Sequence, residues 1–409
     1  MNDILPPESH LWAEIEKKAR VLFRHFGFSE IITPVAEKTE LFTHSVGQAT
    51  DIIEKQMYTF EDKNGEKISL RPEGTAPVVR SYLEHNLFYP DPYRKLYYWG
   101  PMYRYERMQK GRYRQFYQYG VEIFGTPSPR IDAETIFMLT EFYREVGLQK
   151  FEVQVNSLGC SQCRPAFREK LLQYLPKYES DLCVDCRRRL KKNPLRVLDC
   201  KEEKCMEIAN QAPQLIKMLC EACHTHFNLL RESLHQLNVD FVENSKIIRG
   251  LDYYMRTAFE IVSYDLGSQN ALGGGGRYDG LVKSLGGTDI PAFGFAGGVE
   301  RLLLVLPQKD LKETIDLFIA ALGEKSQAFS FGFIHKLRKK GVRCDIDYDD
   351  HALKTQMKKA DRLNAKYTLL MGEDEISKGI AILRNMITKE QKSIRIANLL
   401  EDIVREIQI

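Results

Sequence analysis

The 409-residue sequence predicts an α+β fold followed by a smaller α/β domain. In the first 150 residues, segments with helical spacing of apolar residues are mixed with short strand-like segments. A helical, cysteine-rich stretch follows at about residues 160–236, and strand patterns return near residue 240. After Pro307 the order β-α-β-α-β is typical of a separate α/β domain. We therefore expect a first domain over residues 1–312, with the helical insertion inside it, and a second over residues 313–409.

The composition is that of an ordinary globular protein, with 43% hydrophobic and 28% charged residues. The formal net charge of +3 neither requires nor excludes a polyanionic partner. The N-terminal residues lack a basic start followed by an apolar core, so no signal peptide is predicted. No apolar run approaches the roughly 18 residues that a membrane span requires. These features predict a cytoplasmic protein without a membrane partner.

The N-terminal segment predicts a helix followed by a strand. "LWAEIEKKARVLFRHFGF" places Leu11, Ile15, Ala19 and Phe23 on one helical face. The strand-like "EIITPVAE" comes next, with Pro34 at its edge or end.

A basic hairpin is predicted in "GPMYRYERMQKGRYRQFYQYGVEIFG", residues 100–125. Five basic residues and one acid lie between Arg104 and Arg114, and Gly111 suits the loop between strands 101–107 and 115–124. Side chains alternate along a strand, so one polar face carries arginine and glutamate, and its partner carries Gln118 and Glu122. Such a face often points to water, but the opposite face is rich in tyrosine and β-branched residues that favour burial. The polar face therefore suits a ligand that has both phosphate and amine groups.

Four further segments contribute polar groups beside glycines. "RPEGTA" carries Glu73, Gly74 and Thr75, and "IIRGLDYYMRTAFE" carries Arg249, Tyr253 and Tyr254. The glycine run of "ALGGGGRYDGLV" precedes Tyr278, and alone it predicts only a flexible turn. "FGFAGGVERLLLVL" ends a strand in glycines and begins a helix that contains Arg301.

Eight of the nine cysteines fall within the predicted insertion, at Cys160, Cys163, Cys183, Cys186, Cys200, Cys205, Cys220 and Cys223. In an intracellular chain, repeated C-x-x-C spacing favours thiolate ligands of a structural Zn²⁺ over disulfides. The alternative is that these are buried thiols that pack as small apolar groups. The spacing leaves both open, because it does not show whether the pairs converge. A catalytic zinc is not predicted.

Taken together and in this order, these segments resemble class II aminoacyl-tRNA synthetases, and within that class the histidyl-tRNA synthetase family. "GFSEIITPVAEKTELF", the basic hairpin and "FGFAGGVERLLL" resemble the three class II motifs. "RGLDYYMRTAFE" and "ALGGGGRYDGLV" resemble two segments specific to the histidine enzymes. The resemblance implies a catalytic domain built on an antiparallel sheet, a helical insertion and a C-terminal anticodon-binding domain.

The resemblance also implies roles for individual residues. Arg249 and Arg104 would be catalytic, and Arg104, Glu106, Arg112 and Arg301 would bind ATP. Histidine would be bound by Glu73, Gly74, Thr75, Gln118, Glu122, Arg249, Tyr253, Tyr254 and Tyr278. Gln109 and Arg112 would contact the tRNA acceptor end. Arginine suits phosphate because its planar group donates two parallel hydrogen bonds and keeps its charge.

The implied reaction ligates L-histidine to tRNA(His) through histidyl-adenylate, with ATP and Mg²⁺ and in a homodimer. One alternative is a non-catalytic, histidine-binding relative, the regulatory subunit of ATP phosphoribosyltransferase, which typically lacks the anticodon domain. Another is a synthetase of the same subclass for a different amino acid. The segments that resemble the histidine-specific ones disfavour this second alternative.

Overall fold

The structure, a computed structural model, describes residues 2–45, 52–109, 111–200, 202–248, 253–267, 270–307, 314–349 and 351–407. The chain divides into two compact units. The first comprises Met1–Leu5 and Ser9–Gln308, and the second comprises Pro6–Glu8 and Lys309–Ile409. The predicted boundary at residues 312 and 313 lies outside the described residues, so it stays a prediction.

Ten helices are described before residue 308: α1 (Glu8–His25), α2 (Thr39–Ser45), α3 (Thr75–Glu84), α4 (Pro129–Glu145), α5 (Cys163–Tyr174), α6 (Val184–Lys192), α7 (Glu203–Gln211), α8 (Glu221–Gln236), α9 (Leu281–Ser284) and α10 (Val299–Val305). The strands described in the same part of the chain are β1 (Ser29–Glu30), β2 (Ala36–Lys38), β3 (Thr59–Glu61), β4 (Lys67–Leu70), β5 (Arg94–Tyr103), β6 (Gln115–Phe124), β7 (Glu152–Ser157), β8 (Phe241–Glu243), β9 (Met255–Val262), β10 (Ala271–Arg277) and β11 (Ala292–Gly298).

An eight-stranded sheet organises the first unit, in the order β1-β5-β6-β11-β10-β9-β7-β8. Its six central strands are antiparallel, whereas β1 and β8 each pair in parallel with a neighbour. Strands β2, β4 and β3 form a small separate antiparallel sheet. The antiparallel sheet predicted for the catalytic domain is confirmed.

The two faces of the large sheet have different neighbours. Helices α1, α4 and α8 cover one face, where Tyr119, Val121 and Ile123 of β6 join their core. Helices α3 and α9 pack on the other face, where Tyr98 of β5 is buried. Alternation along β6 therefore turns these three residues to the first face and Glu122 to the second.

Two local predictions differ from the structure. The strand expected over residues 101–107 ends at Tyr103, because the N–H of Tyr105 donates to the carbonyl of Gln56 instead of to the hairpin partner. The glycine run, which alone suggests a turn, forms strand β10 in the middle of the sheet. A Cβ atom on Gly275 would lie 1.9 Å from the carbonyl oxygen of Gly294, so the neighbouring strand requires glycine there.

The insertion is helical, as predicted. Helices α5 to α8 and short 3₁₀ turns enclose a separate small core that contains Phe167, Leu171 and Leu190. All eight cysteines of this region belong to that core or pack against it.

The second unit contains strands β12 (Leu317–Ala321), β13 (Cys344–Ile346), β14 (Tyr367–Met371), β15 (Ile380–Asn385) and β16 (Gln391–Arg395), with helices α11 (Glu324–Lys339), α12 (Leu353–Arg362), α13 (Glu373–Ser377) and α14 (Leu399–Ile407). Its sheet has the order β13-β12-β14-β15-β16. The first three strands are parallel and the last two are antiparallel. The predicted β-α-β-α-β order is confirmed, with an added antiparallel hairpin. Among the described residues, no helix combines the length and apolar character needed to cross a bilayer.

Candidate active site

Carboxylates and tyrosines meet on the second face of the large sheet. We call this set the carboxylate pocket, and it comprises Glu73, Thr75, Tyr98, Glu122, Tyr253, Tyr254 and Tyr278. These residues come from β5, β6, the start of α3 and the segments that flank β9 and β10. The sheet thus brings together five chain segments that are separated in the sequence.

Glu122 lies at the centre of this pocket and is fully buried. Its Oε1 atom accepts a hydrogen bond of 2.7 Å from the Thr75 hydroxyl, and its Oε2 atom accepts one from the Tyr278 hydroxyl. A Cβ atom on Gly294 of the adjacent strand would lie 2.0 Å from Oε2. The carboxylate is therefore held in one place by two donors and by a glycine that leaves room for it.

Glu73 is also buried, but its carboxylate is bound to the backbone. It accepts hydrogen bonds from the N–H groups of Thr75, at 2.7 Å, and Ala76, at 2.8 Å, in the first turn of α3. A negative charge at a helix N-terminus is stabilised by these donors and by the helix dipole. Glu73 thus orders the helix start that presents Thr75.

Burial shifts the acidity of both carboxyl groups. It raises the pKa of Glu122 well above its usual range, although hydrogen bonds from Tyr278 and Thr75 act in the opposite direction. Burial likewise raises the pKa of Glu73, against the hydrogen bonds from the backbone of Ala76 and Thr75. A cationic or hydrogen-bond-donating ligand would relieve the cost of keeping these charges buried.

Aromatic rings form the walls of the pocket. The ring of Tyr253 lies 4.7 Å from that of Tyr254 and 5.7 Å from that of Tyr278, measured between centroids. The hydroxyls of Tyr98 and Tyr253 are buried and have no hydrogen-bond partner among the described residues. Buried polar atoms normally have partners, so the pocket offers unused hydrogen-bonding capacity to a ligand.

A cavity of about 320 Å³ lies on the same sheet and is rich in arginine. We call it the arginine cleft, and its lining includes Arg104, Glu106, Arg112, Phe116, Gln118, Glu260 and Arg301. Gln118 shares a face of β6 with Glu122, four residues or about 13 Å further along the strand. The buried Oε1 atom of Gln118 has no hydrogen-bond partner in the described part of the chain.

Ion pairs hold the arginines of the cleft. Glu106 lies between Arg104, at 3.7 Å, and Arg112, at 3.3 Å. The Nε of Arg104 also donates to the carbonyl of Pro72, and its guanidinium lies 5.2 Å from the ring centroid of Phe116. Arg104 is therefore fixed between the carboxylate pocket and the hairpin loop.

Arg301, near the start of α10, approaches the same cleft from the other side. It donates to the carbonyl of Gly111 in the loop and, at 2.8 Å, to that of Ala271 at the start of β10. Burial lowers the pKa of Arg301, and the positive charge of Arg112 adds to this effect. Three cations thus converge on one cavity with a single glutamate between two of them, which is an arrangement suited to a polyphosphate.

The family model described as "Histidyl-tRNA synthetase" matches residues 1–164 and 187–302, and the one described as "Anticodon binding domain" matches residues 316–406. Together they span most of the chain.

The chain belongs to the histidyl-tRNA synthetase family.

Similar proteins and solved structures agree with this assignment. The chain is 48% identical to the histidine–tRNA ligase of Syntrophotalea carbinolica over 400 residues, which is 98% of this chain and 96% of that protein. It is 49% identical to the histidine–tRNA ligase of Geobacter sulfurreducens over 390 residues, covering 95% and 94%. The crystal structure of apo S. aureus histidyl-tRNA synthetase is 36% identical, with a TM-score of 0.83 and coverage of 99% and 98%.

A structure described as an ATP phosphoribosyltransferase regulatory subunit/histidyl-tRNA synthetase from Bacillus halodurans C is only 20% identical to the chain, with a TM-score of 0.65. It covers 91% of this chain and 96% of its own. At this identity the similarity concerns the fold alone.

In this histidyl-tRNA synthetase family member, three predicted residues belong to neither of the two defined sets: Gln109, Gly74 and Arg249. Gln109 and Arg112 form an isolated β-bridge across the loop, with Gly111 between them at φ +73°. Gly74 precedes α3, and a Cβ atom there would lie 2.4 Å from the ring of Tyr98. Arg249 lies outside the described residues.

Sequence reasoning missed three residues of the site: Tyr98, Phe116 and Glu260, which lies on β9 and lines the cleft. Tyr98 reaches the pocket because Gly74 and Gly120 leave space for its ring. Phe116 forms a wall of the arginine cleft. The signal for Tyr98 and Phe116 was alternation, since they fall on the same sheet face as the predicted polar residues.

A buried ionic network lies next to the pocket and was not predicted. Arg277, the neighbour of Tyr278, is fully buried and pairs with Asp132 of α4 at 2.7 Å. Asp132 also accepts a hydrogen bond from Thr257 and lies 3.7 Å from the imidazole of His226. This network connects helices α4 and α8 to the strand ends that carry the pocket tyrosines.

The eight cysteines of the insertion meet in two groups of four. Cys160, Cys163, Cys220 and Cys223 form the outer cluster, and Cys183, Cys186, Cys200 and Cys205 form the inner cluster. Within each cluster, all four sulfur atoms lie within 4.8 Å of one another. The convergence that the spacing left open is therefore present in the structure.

Proposed function

We propose that the protein ligates L-histidine to tRNA(His) in two steps, through histidyl-adenylate, with ATP as the energy source. The observation that carries this proposal is the buried Glu122, held by Thr75 and Tyr278 within a chain of the histidyl-tRNA synthetase family. A fixed carboxylate in an aromatic pocket is suited to an imidazole, which offers one N–H donor and one acceptor.

In this proposal the carboxylate pocket binds histidine. Glu122 accepts the imidazole N–H, and the Tyr254 hydroxyl pairs with the second ring nitrogen. Glu73, Thr75 and the open Oε1 of Gln118 attract the α-ammonium group. Gly74 has no side chain, so the backbone there can approach the bound histidine closely. Tyr253 and Tyr278 close the pocket and exclude water.

The arginine cleft binds ATP. Arg104 holds the α-phosphate, and Arg112 and Arg301 hold the outer phosphates. Phe116, which already packs against a guanidinium, offers a ring on which the adenine base can stack. When phosphate oxygens enter the cleft, they replace the Glu106 carboxylate as the partner of Arg104 and Arg112. The Glu106 carboxylate then becomes available to the adenine base.

Mg²⁺ is the metal expected with ATP, and the cleft fits it. The cleft contains the carboxylate of Glu260, an oxygen donor of the type that Mg²⁺ prefers. When bound, the ion neutralises charge on the phosphates.

The chemistry requires positioning and charge stabilisation but no protein nucleophile. The histidine carboxylate attacks the α-phosphorus, a new oxygen–phosphorus bond forms, and pyrophosphate leaves. Arg104 stabilises the charge that develops on the α-phosphate oxygens. By the family resemblance alone, Arg249 shares this task. A terminal ribose hydroxyl of tRNA then attacks the histidyl carbonyl, and AMP leaves.

Two regions would contact tRNA. Gln109 and Arg112 lie on the hairpin loop at the rim of the cleft and suit the acceptor end. The second unit, which matches the anticodon-binding model, would bind the anticodon. The homodimer and the cytoplasmic location stay predictions from the sequence. The structural Zn²⁺ predicted for the insertion has no part in the reaction steps.

Pyrophosphate exchange into ATP, measured with each amino acid in turn, tests the proposal. We expect rapid exchange with histidine only. Exchange driven by another amino acid would indicate a different synthetase. Histidine binding without exchange would support the regulatory alternative, which the arginine cleft and the anticodon-binding unit disfavour.

A further inference from the structure

We propose that each cysteine cluster binds one Zn²⁺, giving two structural zinc ions per chain, and that the outer ion positions the Tyr254 side of the carboxylate pocket. The positioning role rests on the proposed histidine-binding function, whereas the two metal sites do not. Three observations support the proposal: the distances between sulfur atoms, the backbone N–H groups that donate to these sulfurs, and the hydrogen bonds of Arg164.

The distances between sulfur atoms are those of a tetrahedral zinc site. In the outer cluster, the Sγ of Cys160 lies 3.8 Å from that of Cys163 and 3.8 Å from that of Cys220. In the inner cluster, the Sγ atoms of Cys183 and Cys200 are 3.9 Å apart. Four sulfurs at about 2.3 Å from a tetrahedral zinc ion lie about 3.8 Å from one another. A disulfide would require about 2.05 Å.

Backbone N–H groups point at the sulfur atoms of both clusters. The N–H of Cys220 donates to the Sγ of Cys163 at 3.1 Å, and the N–H of Cys183 donates to the Sγ of Cys205 at 3.3 Å. The N–H of Cys186 donates to the Sγ of Cys183. Donors of this kind stabilise thiolates, which are the form that binds zinc. Four soft thiolates in a closed set favour a structural site over a catalytic one.

The two clusters are nested along the chain. The outer cluster joins residues 160–163 to residues 220–223, which are the two ends of the insertion. The inner cluster joins residues 183–186 to residues 200–205, within the segment that the outer cluster closes. A small helical segment with a limited apolar core is stabilised strongly by such cross-links.

The outer cluster is connected directly to the proposed histidine pocket. Arg164 follows Cys163, and its guanidinium donates to the carbonyls of Leu158 and Tyr254. Gly159 has φ +61°, and a Cβ atom there would lie 2.8 Å from the Cβ of Cys163. Its carbonyl accepts the N–H of Arg256, at the start of β9. A metal that fixes Cys163 therefore also fixes the backbone that carries Tyr254.

Metal analysis of the full chain, purified without chelator, tests the two sites. We expect two zinc ions per chain in the natural protein and one in either Cys223→Ala or Cys205→Ala. Cys344→Ala is the matched control, because Cys344 is a buried cysteine of the second unit that belongs to neither cluster; it should retain two. Fewer than two zinc ions in the natural protein, or iron in place of zinc, would overturn the proposal.

The positioning role is tested by pyrophosphate exchange with the same variants. A displaced binding group can reduce kcat/KM by up to about a hundredfold. We expect Cys223→Ala to raise the KM for histidine about tenfold with little change in the KM for ATP, and Cys205→Ala to change neither. Arg164→Ala should raise the KM for histidine with two zinc ions still bound, and Arg164→Lys should restore part of the loss. An unchanged KM in Cys223→Ala refutes the positioning role.

Two further results keep the outcomes distinct. If Cys223→Ala is insoluble, the natural protein prepared with Co²⁺ answers the metal question, since eight cobalt-bound thiolates per chain give strong near-ultraviolet absorption. If this absorption were absent, the proposal of two metal sites would be wrong. Two zinc ions in a natural protein that shows no histidine-dependent exchange would refute the proposed function and leave the metal sites standing.

Discussion

The carboxylate pocket and the arginine cleft lie on one sheet face but are held in different ways. In the pocket, Glu122 and Glu73 are buried and receive hydrogen bonds from side chains and from a helix start. In the cleft, Arg104 and Arg112 share Glu106, and Arg301 is bound to loop and strand carbonyls. The pocket carboxylates are therefore held by partners within the pocket, whereas the cleft arginines are held by partners that phosphate would replace in the proposed function.

In the proposed function, the pocket and the cleft distinguish the two substrates by different physical means. A buried, preformed pocket rejects amino acids that leave its polar atoms unpaired, because an unpaired buried group is costly. A cleft of arginines attracts any polyphosphate and obtains its orientation from the bidentate geometry of each guanidinium. We therefore expect selectivity to come from the pocket and charge stabilisation from the cleft.

The largest effect is expected from Glu122→Gln, which changes the pocket alone. The amide keeps the shape of the carboxylate but places an N–H₂ group where the imidazole N–H is expected. The kcat/KM for histidine in pyrophosphate exchange should fall by about a hundredfold or more, with the KM for ATP unchanged. Glu141→Gln, on the surface of α4, serves as control. Normal histidine kinetics in Glu122→Gln would remove Glu122 from the pocket's function.

A smaller effect is expected from Arg301→Ala, which changes the cleft alone. Loss of one charge-assisted phosphate contact should raise the KM for ATP about tenfold, with the KM for histidine unaffected. Arg231→Ala, which breaks an exposed pair with Glu243, is the control. If Arg301→Ala raised the KM for histidine as much as the KM for ATP, the pocket and the cleft would not be functionally separable.

The smallest effect concerns the network beside the pocket and its response to acid. Burial lowers the pKa of His226 from 6.5 to about 3, and the nearby charges of Arg277 and Arg256 add to this effect. The unfolded chain therefore binds a proton below pH 6.5 that the folded chain does not, so stability is lost as the pH falls from 6.5 towards 3. Asp132 opposes this in part, since burial raises its pKa from 3.8 to about 6. Between pH 6 and pH 3.8, Asp132 of the folded chain binds a proton that the unfolded chain does not, so this group adds stability as the pH falls.

Replacing His226 isolates its contribution to the loss of stability at low pH. Between pH 7.5 and pH 5.8, His226→Gln should lose about 1 kcal/mol less unfolding free energy than the natural chain. Urea denaturation at both pH values measures this. His224→Gln, an exposed position on the same helix, should behave like the natural chain. An identical loss in His226→Gln would show that the buried imidazole does not carry the acid sensitivity.

Alternation along β6 was sufficient to place Gln118 and Glu122 on one face, because a strand has a fixed period. The sequence could not show that Glu106 pairs with two arginines, since the hairpin leaves strand geometry after Tyr103. The burial of Arg277 against Asp132 depends on packing between segments about 145 residues apart. Cysteine spacing predicted thiolate pairs, but their nesting into two clusters is a property of the tertiary fold.

Strand β10 has a further consequence for how changes in this gene should be interpreted. Between Leu272 and Arg277 it presents only main chain to its neighbours, and a single added methyl group at Gly275 would meet a carbonyl oxygen at 1.9 Å. A survey of amino-acid tolerance would therefore find this strand as intolerant as the arginines, although it contributes no reactive group. In this part of the molecule, sensitivity to substitution reports the spacing between strands and cannot by itself identify a catalytic residue.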